Sequence, residues 1–316
     1  MNFEKLLEGF LDFLPDESLY APAFRRFVRR DVNPVSGVVK EKRVLFEANP
    51  AMQMLQERFR DYVRFLDQER LNKLLCFATA FRPGNTTVEN VAQHRFQRFF
   101  YLVDLKKAYP SVQVEDLVRA LTFLDSRWWN QGAKARDFLE QYFFDKQGGG
   151  LYTGGTASND LFNLCLGFSI DLALGELCAR HSIKYTRWVD DLTLSSPYSM
   201  PIEKATRREI RAIIERTSFK VNHRKSQYLD IEKGPVFING IGIKKGGILF
   251  LPRPYLRMLL GLVHRAMTKG DVDPASVHGR MGVFFSISPN HMQWNKSERR
   301  LADEYERFKR MCRSRR

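Results

Sequence analysis

The chain has 316 residues, 44% of them hydrophobic and 28% charged, which is typical of a folded protein with one large or two smaller domains. Its formal net charge of +15 predicts a polyanionic partner, a nucleic acid before a membrane. We find no apolar run near the roughly 20 residues that span a bilayer and no signal-peptide pattern, so we expect a cytoplasmic protein without a membrane partner. The four cysteines have no paired spacing, which argues against zinc and disulfides.

The first third of the chain predicts short helices, a hairpin and a longer helix. Apolar residues at helical spacing predict one or two short helices within residues 1–30. Alternating apolar and basic residues at 40–47 predict a hairpin with a basic shoulder. Residues 50–78 have helical spacing, residues 81–85 predict a turn, and residues 90–94 a short helix.

The middle of the chain contains a strand that ends in an acid. The apolar run at residues 99–103 leads directly to Asp104, after which residues 114–124 return to helical spacing. A glycine-rich loop at 148–159 then opens an apolar helix from about 161 to 180. Such a loop lets backbone approach a ligand, and the N-terminus of its helix favours phosphate. The spacings of Rossmann and P-loop motifs are missing.

Two adjacent acids interrupt the next apolar stretch, residues 185–194. The pattern predicts strand, tight turn, strand, with Asp190 and Asp191 at the tip. Neighbouring carboxylates repel each other, and a hairpin tip tolerates them either because water screens them or because a divalent cation neutralises them. If the strand of Asp104 ends beside this tip, three carboxylates meet, and such hard oxygen ligands suit Mg²⁺.

The last third of the chain predicts a basic helix, strands and a helical end. Residues 205–216 form a basic amphipathic pattern, residues 236–243 and 248–250 predict two strands around a turn, and the chain is helical from 252 onward. Residues 251–316 carry 14 Lys/Arg against 6 Asp/Glu, about half of the net charge. This surface suits a nucleic-acid backbone, with a merely soluble basic bundle as the alternative.

The order of these pieces resembles the bacterial reverse transcriptases of the retron and group II intron type, including related phage-defence enzymes. The resemblance runs from about residue 40 to 285 and is most specific at 104–109, 153–163 and 185–194. Residues 90–94 resemble a retron Asn-Ala-X-X-His element. The chain departs from the family pattern at several positions. Trp188, Val189 and Asn239 stand where Tyr, Ala and Thr are usual, and Thr153, Thr156 and Asn159 where Gln, Pro and Pro are common. These departures favour a divergent defence-associated enzyme as much as a true retron enzyme.

The resemblance implies an α+β fold, the right-hand polymerase with fingers, a palm of antiparallel sheet and a helical thumb. It implies these boundaries: fingers 1–97, palm 98–111, fingers insertion 112–150, palm 151–250 and thumb 251–316. The implied activity is RNA-directed DNA polymerisation on a dedicated noncoding RNA. The implied partners are that RNA as template and primer, the DNA product and deoxynucleotides. A separate effector protein and a homo-oligomer stay open.

The resemblance also implies roles for individual residues. Two Mg²⁺ ions would be held by Asp104, Asp190, Asp191 and the carbonyl of Leu105, and Lys225 would protonate pyrophosphate. Tyr109 would exclude a 2′-hydroxyl. The remaining implied contacts to the deoxynucleotide are Lys42, Arg43, Arg82, Gly154, Gly155 and Ser158, with Asn163 nearby. The implied contacts to primer and template are Trp188, Val189, Asn239 and Gly240. Simpler interpretations are a packed aromatic for Tyr109, surface charge for Lys42 and Lys225, and a helix-capping loop for the glycines.

Three other functions are alternatives to RNA-directed DNA polymerisation. A palm-type nucleotidyl cyclase would carry a Gly-Gly-Asp/Glu-type tip, whereas the tip here is Trp-Val-Asp-Asp. An RNA-binding scaffold with a dead active site predicts the loss of a carboxylate, and none is lost. Template-independent or protein-primed DNA synthesis by the same fold stays open.

Overall fold

A computed structural model describes residues 2–11, 23–32, 39–270, 272–288 and 294–314, with backbone alone for residues 30–32 and 39–43. Helices are α1 (Phe3–Leu11), α2 (Pro50–Phe65), α3 (Gln68–Leu74), α4 (Thr87–Ala92), α5 (Ala108–Ser111), α6 (Val114–Leu124), α7 (Gly132–Phe143), α8 (Ser158–Leu166), α9 (Leu172–Arg180), α10 (Lys204–Glu215), α11 (Arg253–Thr268), α12 (Pro274–Ile287) and α13 (Lys296–Ser314). Strands are β1 (Phe24–Val32), β2 (Val39–Ala48), β3 (Phe99–Asp104), β4 (Lys184–Trp188), β5 (Asp191–Ser196), β6 (Gln227–Asp230), β7 (Val236–Ile238), β8 (Ile241–Lys244) and β9 (Ile248–Phe250).

Antiparallel sheets and helices alternate along the chain, so the predicted α+β class is confirmed. The central sheet has the strand order β4-β5-β3-β6, the pair β1-β2 stands apart from it, and β7-β8-β9 form a third sheet. Every pairing within these named sheets is antiparallel. Nothing in the structure tests the predicted division into fingers, palm and thumb, which stays a prediction.

The longest apolar helix lies beneath the central sheet. It comprises α8, a π-helical segment Gly167–Asp171 and α9, and π segments are common at functional sites. We expected no stretch that could span a bilayer, and this expectation is wrong. The helix Ser158–Arg180 is long and apolar enough to do so, with a mean hydropathy of 1.5 over its most apolar window. However, 67% of that window is buried inside the protein, as in a core helix.

Two apolar cores hold the described residues together. One joins α1 to α3 and α6 to α10 with the central sheet, and its largest buried side chains include Phe59, Phe143 and Phe162. The other joins the sheet β7-β8-β9 to α11, α12 and α13 around Leu259, Met281 and Phe284. The predicted thumb helices therefore pack against the third sheet as well as against one another.

Four segments differ from the predicted elements. Residues 40–47, predicted as a hairpin, lie within the single strand β2. Residues 24–32 form a strand paired with β2, where we expected helix, because their partner strand satisfies the backbone hydrogen bonds. The helix predicted over 50–78 breaks into α2 and α3 at Asp67, whose side chain caps α3. The strand predicted over 236–243 turns back on itself, since Asn239 and Gly240 adopt φ of 49° and 83°.

His94 anchors the hairpin β4–β5 to the end of α4. Its ring nitrogens lie 2.6 Å from the Ser195 hydroxyl on β5 and 2.9 Å from the Thr186 hydroxyl on β4. Burial lowers the pKa of His94 to about 3, so the ring is neutral at physiological pH. The ring therefore has a structural role, linking α4 to both strands of the hairpin.

Candidate metal and nucleotide site

The register of the central sheet brings the three acids together. Asp104, the last residue of β3, lies directly opposite Asp191, the first residue of β5. The next amide, of Leu105, donates a hydrogen bond of 3.1 Å to the Asp190 carbonyl. Directly opposed residues point to the same face of a sheet. The predicted juxtaposition of the two strand ends is therefore confirmed.

The hairpin tip that carries two of these acids has a strained backbone. Val189 and Asp190 form the loop between β4 and β5, and Val189 has a φ of 58°. A β-branched residue rarely adopts this left-handed conformation. Trp188 precedes the loop and pairs with Asp191. The tip is therefore kept in shape by contacts from outside the loop.

A buried arginine supplies the main contact of this kind. Arg187, with no exposed side-chain surface, donates from Nη1 to the Val189 carbonyl at 3.0 Å. Its Nε and Nη2 donate to the carboxylate of Asp171 at 2.9 and 2.8 Å, and Asp171 is equally buried. The Tyr185 hydroxyl donates to the same carboxylate at 2.7 Å. The charge of Arg187 is thus neutralised in the core while its remaining donors hold the tip.

Asn163 completes this clamp from the helix α8. Its Oδ1 accepts from Arg187 Nη1 at 2.9 Å, and its Nδ2 donates to the Ala80 carbonyl at 2.9 Å. The sequence placed Asn163 only near the nucleotide, and it missed Asp171 and Arg187 as functional groups. The available signals were an arginine inside an apolar strand and an aspartate inside an apolar helix.

The side chain of Asp104 is held by the segment that follows α10. Asn222 donates from Nδ2 to Asp104 Oδ1 at 2.7 Å, and Lys225 Nζ lies 3.4 Å from Oδ2. The Asn222 amide also donates to the Asp104 carbonyl at 2.8 Å. Lys225 was predicted at this site and lies beside it, whereas Asn222 was missed because an asparagine in a loop has no distinctive pattern.

Like charges shape the electrostatics of the tip. Burial, then Asp190, then Asp104 raise the pKa of Asp191 to about 6, and Lys225 opposes this rise. The donor atoms are all oxygens, which fits Mg²⁺ or another hard cation. Within the described ranges, no three acidic, histidine or cysteine side chains are gathered as tightly as around a bound ion. The carboxylate of Asp104 instead contacts Asn222 and Lys225. A cation would therefore have to draw it toward Asp190 and Asp191.

Tyr109, predicted to contact the deoxynucleotide, lies near Asp190. Its half-buried ring stacks on Phe162 at 4.4 Å between centroids and 8° between planes, and its hydroxyl donates to Asn159. Burial and then the charge of Asp190 raise its pKa above the ordinary value. The ring is therefore fixed within electrostatic range of the acids.

The glycine-rich loop packs tightly against β2 and α2. A Cβ on Gly154, whose φ is 102°, would lie 2.9 Å from the Phe46 carbonyl, so only glycine fits there. Gly154 is exposed, whereas Gly155 and Ser158 are buried. The Ser158 hydroxyl has no hydrogen-bond partner among the described residues. Of the three predicted contacts, only Gly154 presents a surface in this structure.

Of the three basic side chains predicted to contact the deoxynucleotide, the structure describes only that of Arg82. Arg82 donates from Nη1 to the Leu75 carbonyl at 2.6 Å and from Nη2 to Asn72 at 3.1 Å, which closes the end of α3. Its guanidinium is thus engaged within the protein. The side chains of Lys42 and Arg43 lie outside the described residues, so their predicted roles stay predictions.

The turn between β7 and β8 also reaches the acids. Asn239 donates from Nδ2 to Asp191 Oδ2 at 3.2 Å, and Gly240 follows it at the exposed tip. The sequence predicted both residues as primer contacts without predicting this bond to an acid.

The comparisons with known proteins agree with this geometry. The family model described as reverse transcriptase (RNA-dependent DNA polymerase) matches residues 48–251. The chain is 22% identical over 256 residues to the retron Ec83 reverse transcriptase of Escherichia coli, covering 78% of this chain and 79% of that protein. It is 20% identical to the retron Ec48 reverse transcriptase of the same organism, covering 70% of this chain and 53% of that protein.

Solved telomerase structures are more distant. A telomerase from Candida albicans in complex with a fragment of telomeric RNA has a TM-score of 0.49 and 10% identity, covering 90% of this chain and 59% of that one. An apo telomerase from Candida tropicalis has a TM-score of 0.41 and 12% identity, covering 69% and 49%. The chain thus spans about half the length of these telomerases.

The raised pKa of Asp191 predicts a pH-dependent gain in stability for Asp191→Asn. The folded pKa of about 6 lies above the ordinary value of 3.8, so the cation-free protein loses stability as pH rises through 6. Asp191→Asn should therefore raise the free energy of unfolding at pH 8 by up to about 1 kcal/mol, a small value because the side chain is partly exposed. Urea denaturation in a chelator at pH 8 and pH 4 measures this, because the loss develops between the unfolded pKa of 3.8 and the folded pKa of about 6. A gain of equal size at both pH values would contradict the electrostatic cause.

The buried ion pair predicts that one substitution strongly lowers the free energy of unfolding and that a second substitution restores most of it. Arg187→Met leaves Asp171 charged and unpaired, so the free energy of unfolding should fall by about 3–5 kcal/mol. Arg187→Met combined with Asp171→Leu removes both charges and should recover most of that loss. Urea denaturation measures both, with Arg64→Met as control, since its more exposed pair with Asp160 contributes less than about 1 kcal/mol. A double variant no more stable than the single one would refute the charge argument.

Proposed function

The chain belongs to the reverse transcriptase family of RNA-directed DNA polymerases, and on that premise we propose that it copies a dedicated noncoding RNA into DNA at the Asp104–Asp191 site. The register that pairs these two acids, with Asp190 beside them, is the observation that carries the proposal. The similarity to two retron reverse transcriptases supports a retron-like template. A use in phage defence is a further part of the proposal and comes from the resemblance of the sequence to defence-associated enzymes.

The three carboxylates, with the Leu105 carbonyl, are the proposed ligands of two Mg²⁺ ions. Bound Mg²⁺ would lower the pKa of the primer 3′-hydroxyl and offset charge on the triphosphate. The protein's own contribution is to hold the acids at the ends of two paired strands. Asn222 orients Asp104, and Arg187 fixes the backbone immediately before Asp190.

Two further side chains have proposed roles in the reaction. Lys225 lies beside Asp104 with an exposed ammonium, which suits proton donation to leaving pyrophosphate. Tyr109 is held rigid by Phe162 and Asn159, so its ring would exclude a sugar with a 2′-hydroxyl. Tyr109→Ala removes this ring, so the variant should incorporate ribonucleotides.

A basic groove supports the binding of a structured RNA away from the acids. It has a volume of about 1080 Å³ and lies between the sheet β7-β8-β9 and the helices α11 to α13. Its basic lining residues are Arg95, Lys244, Arg253, Arg257, Lys296 and Arg300. Glu298, its acidic lining residue, accepts hydrogen bonds from the Asn295 amide and the Ser288 hydroxyl. An excess of cations in a groove suits phosphodiester groups.

The groove residue Arg95 and the acids lie at opposite ends of β3. Arg95 precedes β3, and the five residue steps from Phe99 to Asp104 alone span about 17 Å. RNA in the groove would therefore leave the acids accessible to primer and nucleotide. We propose that the groove holds the folded part of the noncoding RNA.

Primer extension tests the polymerase proposal. With Mg²⁺ and deoxynucleotides, the protein should extend a DNA primer on an RNA template, and Asp190→Asn or Asp191→Asn should slow extension at least about 100-fold. Asp230→Asn is the matched control, since Asp230 pairs with Arg98 at the far end of the same sheet. Equal synthesis without RNA would favour template-independent addition, and undiminished synthesis by the acid variants would refute the site.

Charge reversal tests the groove. Arg253→Glu with Arg257→Glu should weaken binding of co-purified RNA about tenfold or more and flatten its salt dependence, because phosphate contacts release counterions. Lys204→Glu with Arg208→Glu makes the same charge change on the exposed face of α10. RNA affinity measured between 50 and 200 mM salt separates the two. Equal losses in both variants would show only a general effect of net charge.

A further inference from the structure

A chain of hydrogen bonds connects the residue 90–94 element to one of the acids. The Thr79 hydroxyl lies 2.9 Å from Asn90 Oδ1, and Asn90 Nδ2 lies 2.9 Å from Asn239 Oδ1. Asn239 Nδ2 in turn lies 3.2 Å from Asp191 Oδ2. Asn90 has no exposed surface and Thr79 very little. The Thr79 hydroxyl also lies 3.0 Å from the Arg187 carbonyl, so its one hydrogen is shared between this carbonyl and Asn90 Oδ1.

The acid fixes the direction of every amide in this chain. An ionised carboxylate only accepts, so Asn239 must present its nitrogen to Asp191 and its oxygen to Asn90. Asn90 must then present its nitrogen to Asn239 and its oxygen to Thr79, whose hydroxyl can donate. If both amides were flipped, an amide oxygen would face the Asp191 carboxylate. That arrangement is repulsive.

Neighbouring elements fix the position of Asn90. The helix α4 starts at a capping box formed by Thr86 and Glu89, and His94 at its far end bonds to both hairpin strands. The Thr79 amide donates to the Arg187 carbonyl at 2.9 Å. Asn90 is therefore fixed relative to the hairpin that carries Asp191.

Among the residues that the structure describes, Asn239 has no comparable anchor of its own. It lies at the turn between β7 and β8, is only partly buried, and has a φ of 49°. Its side chain is aimed at Asp191 because Asn90 holds its oxygen. Removing Asn90 would free the Asn239 amide to turn toward water.

We propose that Asn90 is a positioning residue for the cation site, acting through Asn239 on the Asp191 carboxylate. Hydrogen bonds from neighbouring groups orient carboxylates that bind metals, and losing one typically weakens metal binding by 10- to 100-fold. The relay also ties the turn at Asn239, which we propose contacts the primer, to a cation-binding acid. The inference rests on the proposed cation site and assigns a role to the 90–94 element.

A double-mutant cycle tests this role by Mn²⁺ titration of the protein without nucleic acid, followed by electron paramagnetic resonance. Asn90→Leu removes the relay at similar volume, and Asn239→Gly removes the amide while tolerating the positive φ. Each should weaken Mn²⁺ binding about tenfold, and the double variant should match Asn239→Gly alone. If Asn90→Leu does not fold, Asn90→Ala takes its place.

Tyr62→Phe is the control for general destabilisation. It removes buried hydrogen bonds of the Tyr62 hydroxyl to Asp125 and Trp128, so it should lower thermal stability without changing Mn²⁺ affinity. Additive losses in the cycle, or unchanged Mn²⁺ affinity in Asn90→Leu, would overturn the relay while leaving the proposed polymerase standing. Absence of Mn²⁺ binding by the unmodified protein would refute the cation site, and the relay with it.

Discussion

The buried ion pair between Arg187 and Asp171 is the interaction on which the site depends. Two fully buried charges are tolerated only when they neutralise each other and their remaining donors and acceptors are bonded. Here the spare donor of the guanidinium holds the carbonyl of Val189, a residue in a strained conformation. The core of the protein thereby determines the backbone conformation of the hairpin tip, at the residue immediately before Asp190.

The acids at that tip oppose the stability of the fold that presents them. Asp190 and Asp104 raise the pKa of Asp191, so the ionised cluster is an unfavourable state without a counterion. The protein reduces this cost with Lys225 and with the amides of Asn222 and Asn239. A cation would remove the remaining repulsion, so the proposed metal binding would be coupled to folding at this site.

The sequence was sufficient for the elements whose pattern is local. The helix Val114–Leu124 has the predicted bounds. Asp104 ends one apolar run and Asp191 begins another, and the two runs are paired strands. What it missed depends on partners distant in the chain. Nothing local shows that Arg187 meets Asp171 or that Asn222 bonds to an acid. The turn at Asn239 was read as continuous strand because asparagine with a positive φ leaves the apolar alternation intact on either side. The proposed metal and nucleotide roles come from the family resemblance, because local sequence pattern alone does not specify a ligand.

The proposed function requires the acids at the ends of β3 and β5 to bind cations together. The most direct measurement is a crystal structure of the protein grown with Mn²⁺, a deoxynucleotide and a primer–template, with anomalous scattering from the metal recorded. We expect anomalous peaks in contact with the carboxylates of Asp104 and Asp191. An ordered nucleotide with no anomalous peak at these carboxylates, in protein that synthesises DNA, would contradict the proposal.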